Sequence, residues 1–169
     1  MKSKFQLFNR VQKKLEKDYI DSWMSQLYND KRKSGNGNKL RTYRVFKSNF
    51  TMENYLHDIS DFRLRRCITM FRVSDHNLEI ELGRKKTPKV PLHERICRRC
   101  DMNEIDDEWH LIFSCTKFTK ERKHLYKSCD VIDDSHTDVY KRKAIIINIM
   151  NCNILPLAIF LKNTNCFLQ

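Results

Sequence analysis

Apolar positions recur at steps of three and four through the first part of the chain. Phe8, Val11, Leu15, Tyr19, Trp23 and Leu27 fall on one face, and Lys13, Lys14, Lys17, Asp18 and Asp21 fall on the other. That spacing predicts an amphipathic helix from about residue 5 to 29. The next stretch, KRKSGNGNK at 31–39, holds two of the three glycines and reads as a flexible basic linker. Tyr43, Phe46, Phe50, Tyr55, Leu56 and Ile59 suggest a second helical or mixed stretch. Asp61 is then placed to cap a helix carrying Leu64, Ile68 and Phe71, which Ser74-Asp75 ends. Leu78, Ile80 and Leu82 alternate before Gly83, consistent with a short extended piece or a last helical turn. GRKKTPKVP at 83–91 reads as a basic loop with two prolines. Beyond a cysteine-rich segment, a helix is expected at 117–127 around Phe118, Leu125 and Tyr126. Another is expected at about 137–151, with Pro156 interrupting the apolar residues beyond it.

Composition narrows this picture. Glycine and proline together number only six in 169 residues, which excludes collagen-like and Gly/Pro-rich disordered classes and argues against a many-turned β-sandwich. The fold class expected is therefore mainly α. The longest apolar stretch, AIIINIMNCNILPLAIFL at 144–161, contains Asn148, Asn151, Asn153 and Pro156 and is short for a bilayer span, so it reads as core and no membrane association is expected. The N-terminal MKSKFQLFNRVQKK has no apolar signal-peptide core, so an intracellular setting, nuclear or cytoplasmic, is expected. Lys31-Arg32-Lys33 as an import signal is a weaker reading than a solvated loop.

Charge adds a partner class. Lys and Arg exceed Asp and Glu by 12, and residues 1–60 hold 13 basic side chains against 6 acidic ones. Such an excess points to a polyanion, because each Lys or Arg contact to phosphate releases a counterion. Charge by itself does not separate a nucleic-acid binder from a basic protein with no such partner.

Chemistry concentrates in ICRRCDMNEIDDEWHLIFSC. Cys97, Cys100, His110 and Cys115 form a C-x2-C-x9-H-x4-C pattern. Each half can grip one ion from a single tight turn, and a Cys3His set suits a closed tetrahedral structural Zn²⁺ site with no open position for hydrolytic chemistry. His93 or Cys129 could replace one ligand. Arg95, Arg98 and Arg99 lie beside the first pair and would favour thiolates. Trp109 reads as packing around the site rather than as a base-stacking residue. Asp106, Asp107 and Glu108 either orient His110 or form a solvated acidic turn. Cys67, Cys152 and Cys166 read as isolated thiols. No P-loop, G-x-S-x-G or G-x-G-x-x-G occurs, and no small-molecule substrate is implied.

Four stretches in order resemble a known family: NYLHDI at 54–59, FRLRRCITMFRVSDHNLEIELGR at 62–84, PLHERICRRC at 91–100 and EIDDEWHLIFSC at 104–115. Together they are similar to the C-terminal tail of reverse transcriptase polyproteins of non-LTR (LINE-type) retrotransposons, the region bearing a CCHC zinc-binding motif. The resemblance covers most of residues 40–126. It implies zinc on Cys97, Cys100, His110 and Cys115, and RNA or DNA as partner in the setting of reverse transcription. Thr116 stands where family members often have proline. No Y/F-x-D-D turn for two Mg²⁺ is present, and Asp133-Asp134 reads as a loop, so the chain reads as the tail alone, without polymerase or endonuclease and without catalysis.

The organisation expected is an N-terminal helix in 1–30, a linker at 31–39, a helical zinc-binding domain at 40–127 and C-terminal helices in 128–169 packing on it. Arg63, Arg65, Arg66, Arg72, Arg84, Lys85, Lys86, Arg98 and Arg99 are the expected phosphate contacts. The competing expectation is a zinc-stabilised protein-interaction module, or an inert remnant of such an element, with no nucleic-acid binding.

Overall fold

The computed structural model describes residues 4–28, 40–47, 49–131, 138–152 and 154–167. The linker at 31–39 and Asp133-Asp134 lie outside them. Helix α1 spans Lys4–Tyr28, close to the bounds that its apolar spacing predicts. Its contacts with other described elements include Tyr19, whose ring lies 5.3 Å from Phe50. Trp23 packs edge-on against Tyr43 and Phe50, and the Tyr28 hydroxyl donates to the Arg44 carbonyl. Phe5, Phe8 and Leu15 on the same face stay 64–72 % exposed.

The mixed stretch after the linker resolves into two single turns, α2 (Tyr43–Phe46) and α3 (Tyr55–Asp58). Helix α4 (Phe62–Arg72) starts as its sequence predicts: the Asp61 carboxylate accepts from the N–H groups of Arg63 (2.7 Å) and Leu64 (3.3 Å). It ends at Ser74, which takes a left-handed conformation (φ 52°) and lets the Asp75 N–H reach back to the Met70 carbonyl at 2.7 Å. The Thr42 hydroxyl reaches the terminal carbonyls of Phe71 and Arg72 at 3.0 and 2.9 Å, which covers groups the helix cannot satisfy itself.

Ile80 and Leu82 belong to a separate helix, α5 (Glu79–Lys85), with Leu78 as its extended N-cap, so the basic loop starts only after Lys85. Gly83 has a steric role there. A Cβ on it would come within 2.8 Å of Arg95 Cγ, so its absence lets the buried Arg95 lie across the helix and donate to the carbonyls of Ile80 (2.9 Å) and Val90 (3.0 Å). These bonds seat the cysteine-rich segment on α5.

Helices α6 (Thr119–Ser128), α7 (Val139–Cys152) and α8 (Ile154–Asn163) complete the molecule. Pro156 does not break α8. It sits in the first turn, where its missing N–H would have no helical acceptor. One face of the described part of the 144–161 stretch is core: Ile146, Ile149, Leu157 and Leu161 are buried together with Ile68 and Phe71 of α4, Leu125 of α6 and Leu111 and Ile112 of the cysteine-rich segment. Phe71 anchors this core between Phe46 and Phe167, at ring separations of 5.9 and 6.0 Å. Among the described residues the fold is mainly helical, with one isolated antiparallel bridge between Ile96 and Ile105, and no single helix is long and apolar enough to cross a membrane.

Candidate metal centre

Residues 95–106 form a tight hairpin-like turn. The Cys97 N–H donates to the Glu104 carbonyl and the Asp106 N–H to the Arg95 carbonyl, both at 2.9 Å. Asn103 takes a left-handed conformation (φ 53°), which lets the chain double back beyond Cys100. The second half of the site comes from a wide helical turn over His110–Ser114, closed by the Cys115 N–H on the His110 carbonyl at 2.7 Å. Helix α6 holds that turn. Arg122 donates to the Cys115 carbonyl (2.9 Å) and the Tyr126 hydroxyl to the Ile112 carbonyl (3.1 Å).

Together these turns bring Cys97, Cys100, His110 and Cys115 into one cluster whose ligand atoms all lie within 4.8 Å of one another. Cys97 Sγ and Cys115 Sγ are 3.9 Å apart, and Cys100 Sγ lies 3.3 Å from His110 Nε2. A tetrahedral ion with thiolate and imidazole ligands would separate sulfurs by roughly 3.8 Å and a sulfur from the nitrogen by roughly 3.5 Å. The four residues therefore fit a metal ion. His93 and Cys129 stand outside the cluster: the His93 side chain is 81 % exposed beside Glu94, and Cys129 packs against the core.

Electrostatics set the protonation of the sulfurs. Each accepts from the backbone N–H two residues on: Cys97 from Arg99, Cys100 from Met102 and Cys115 from Lys117. Burial pushes the Cys115 thiol up to about 12, with Cys97 and Cys100 adding to the effect, and burial also raises Cys97. Burial acts on Cys100 in the same sense, but the Met102 N–H and hydrogen bonds with Cys97, His110 and Cys115 outweigh it and bring that thiol down to about 7. A divalent cation seated here would displace the remaining thiol protons, so uptake of metal releases protons and is favoured as pH rises.

The residues that orient His110 are only partly those expected. Asp107 accepts from the His110 N–H at 2.8 Å. Glu104, which stood outside the expected set, sits 2.7 Å from Nδ1 and leaves Nε2 facing the sulfurs. Asp106 and Glu108 form neither a solvated turn nor a support for the imidazole; each is only 1 % exposed. Asp106 pairs with Arg99 at 2.6 Å and accepts from the Glu79 N–H at 2.8 Å. Glu108 receives Arg41 at 2.9 Å and His76 at 2.8 Å. Arg41 also reaches Glu81 at 2.5 Å, and Glu81 in turn pairs with Arg84. Burial alone would raise the Glu108 carboxyl, but the hydrogen bond from His76 and the Arg41 charge hold it down at about 2. Trp109 packs as expected, stacked on Phe113 at 6.0 Å.

The nine cations expected to meet phosphate separate into two groups. Arg72 is corrected: it is 4 % exposed, lies 2.8 Å from Glu53 and within 5.6–5.8 Å of the ring centres of Tyr43, Phe46 and Tyr55, so it is a core residue. Arg65 donates to the carbonyls of Ile59 and Ser60, Arg84 is engaged by Glu81, and Arg99 by Asp106 and the Asn77 carbonyl. Arg63, Arg66, Lys85, Lys86 and Arg98 are exposed. Lys85 lies 3.7 Å from Asp75 and Arg98 3.3 Å from Glu79. Arg95 braces the fold and does not face the sulfurs. Cys67 and Cys166 are buried thiols. The sequence offers no signal for Glu104 beyond its being the acidic residue nearest the doubled-back strand.

Compared with protein-family models, with curated proteins and with solved structures, the chain matches none of them.

Proposed function

We propose that the chain is a Zn²⁺-stapled nucleic-acid-binding domain without catalysis of its own, of the kind found at the tail of LINE-type reverse transcriptases. The observation that carries the reading is the Cys3His cluster, with its spacing of 3.9 and 3.3 Å and a backbone N–H on every sulfur. Softness of the donor set favours Zn²⁺ over oxygen-seeking cations such as Mg²⁺ or Ca²⁺. All four positions are filled by protein, so the ion's work is to hold the 95–118 region rather than to activate water. Support for the polyanion comes from the charge excess of 12 and from the exposed cations Arg63, Arg66, Lys85, Lys86 and Arg98. These would contact phosphates, giving weak sequence preference and a steep salt dependence.

The test has two arms. Metal analysis of the purified chain should return one zinc per molecule, and Cys97→Ser with Cys100→Ser should abolish it. Binding to a single-stranded RNA and to duplex DNA should weaken steadily from low to moderate salt. It should also fall with Arg63→Glu and Arg66→Glu together, by about tenfold. Salt-independent binding, or no binding to either nucleic acid, would sink the reading even if zinc were present.

A further inference from the structure

Helix α6 carries an unusual stripe. Lys120, Lys123, His124 and Lys127 occupy successive i, i+3, i+4 and i+7 positions, so they share one face of the helix. Like charges at these spacings repel. Neither Lys120, Lys123 nor Lys127 has an ion-pair partner among the described residues, and Glu121 is the one acidic residue among those lining the groove they border. A local arrangement that works against its own helix, with no internal compensation, marks a place where an outside group is expected.

The facing wall has the opposite character. Pro156, Ile159, Phe160 and Asn163 of α8 repeat the same i, i+3, i+4, i+7 spacing, and the groove between the two helices has a volume of about 530 Å³. Ile159 remains 40 % exposed there, and Leu155, one turn before it, 46 %. The floor is apolar because Leu125 and Phe160 close it from beneath, at 1 and 2 % exposed.

We infer that this groove docks an acidic amphipathic helical peptide, whose apolar side chains seat on Pro156 and Ile159 while its carboxylates meet Lys120, Lys123 and Lys127. Charge complementarity selects the acid, since the rim is cationic with Glu121 alone opposing it. The floor selects apolar side chains: the Phe160 ring is buried, the apolar lining is otherwise aliphatic, and the exposed ring of the groove is the His124 imidazole on the cationic rim. The lysine run from 120 to 127 extends roughly 10 Å along the helix axis, which suits two to three turns of a partner helix. None of the cations assigned to phosphate above lines this groove, and the proposal does not depend on that assignment.

The test uses the full zinc-containing chain and three fluorescent probes. One is a three-turn peptide with leucines at i, i+3, i+4 and i+7 flanked by glutamates. The second keeps the glutamates but has serine for leucine, and the third is a single-stranded RNA. The leucine peptide should bind at least about tenfold tighter than the serine peptide, a step of about 1.4 kcal/mol. Its affinity should fall by about tenfold in Lys120→Glu/Lys123→Glu/Lys127→Glu and by several-fold in Ile159→Ser, while Arg63→Glu/Arg66→Glu leaves it unchanged. Lys123→Glu alone, which creates an i,i+4 pair with Lys127 and should not harm the helix, should weaken it by about threefold. Equal binding of the two peptides, no peptide binding, or affinity indifferent to these lysines would each overturn the proposal. Loss of RNA binding on lysine reversal, with the peptide unbound, would instead assign the stripe to nucleic acid.

Discussion

The short acidic run at 104–110 serves two polar clusters that differ in one respect. His110 faces the sulfurs with Glu104 on its Nδ1 and Asp107 on its backbone N–H, while Asp106 and Glu108 enter a buried polar network with Arg99, Arg41 and His76. The second cluster is completed by the chain's own cations. The first gathers three thiols and an imidazole, touched at Cys97 by Arg99, which also serves Asp106, and burial drives Cys115 and Cys97 toward the protonated form. Neighbouring residues of one turn thus build a cluster neutralised largely from within and one whose ligand atoms are spaced to take an ion from outside. The contrast teaches that burial of acidic side chains near a metal motif is not itself a sign of metal support, since half of these carboxylates would hold their places without any metal.

Removing the metal should therefore separate the two. Chelation, or Cys115→Ser, should abolish hydrogen-exchange protection at the Cys97, Asp106 and Cys115 amides, whose bonds close the 95–106 and 110–115 turns. Leu111, Ile112 and Phe113 belong to the shared core, so global stability should drop too. A loss of about 4 kcal/mol would lower Tm by roughly 8–16 °C in a chain of this size. An unchanged melting curve and unchanged exchange after verified metal removal would mean that these turns are held by packing alone.

The ion network should fail in a different way. Glu108→Gln should destabilise the protein by about 3 kcal/mol at neutral pH, because Arg41 and His76 lose the charge they face. The Glu108 pKa is depressed to about 2 from an ordinary 4.5, so its contribution is fully present above about pH 4.5 and is lost as pH falls toward 2. Denaturant unfolding of both proteins should show a gap that is constant from pH 7 to 5 and closes between pH 4.5 and 2. A gap that persisted at pH 2 would place the effect in packing rather than charge.

Features encoded within a few residues were readable in the sequence, and those assembled from distant ones were not. The ligand set, the Asp61 cap and the α1 face each depend on spacing along one turn or one helix. Leu78, Ile80 and Leu82 left two readings open because a period of two over three residues fits a strand as well as a helical turn, and the structure has the helix. Arg72 looked like a solvated cation of a basic helix. It is buried because Glu53 and the rings of Tyr43, Phe46 and Tyr55, up to 29 residues upstream, converge on it. A buried charge is invisible in sequence for that reason: its partner carries no local mark. Glu104 was missed because the doubled-back strand, not sequence proximity, delivers it to His110.

Glu104 also gives the finest division between the clusters. Its carboxylate sits 2.7 Å from His110 Nδ1 with its side chain 46 % exposed, so it contributes little burial and no part of the Arg41–Glu108 network. Its effect should run through the imidazole, since it fixes the ring from the Nδ1 side with Nε2 toward Cys100 Sγ and so strengthens it as a metal ligand. Glu104→Gln keeps an acceptor at that point but removes the charge. Zinc affinity measured by competition with a chromophoric chelator should fall by about 10- to 100-fold. The melting temperature at saturating zinc should move by only a few degrees, and the pH profile of stability between 4.5 and 2 should be that of the unmodified chain, because Glu108 is untouched. A change in that profile would show that the two clusters are coupled through the 104–110 turn, and that the division between them is one of residues only and not of energy.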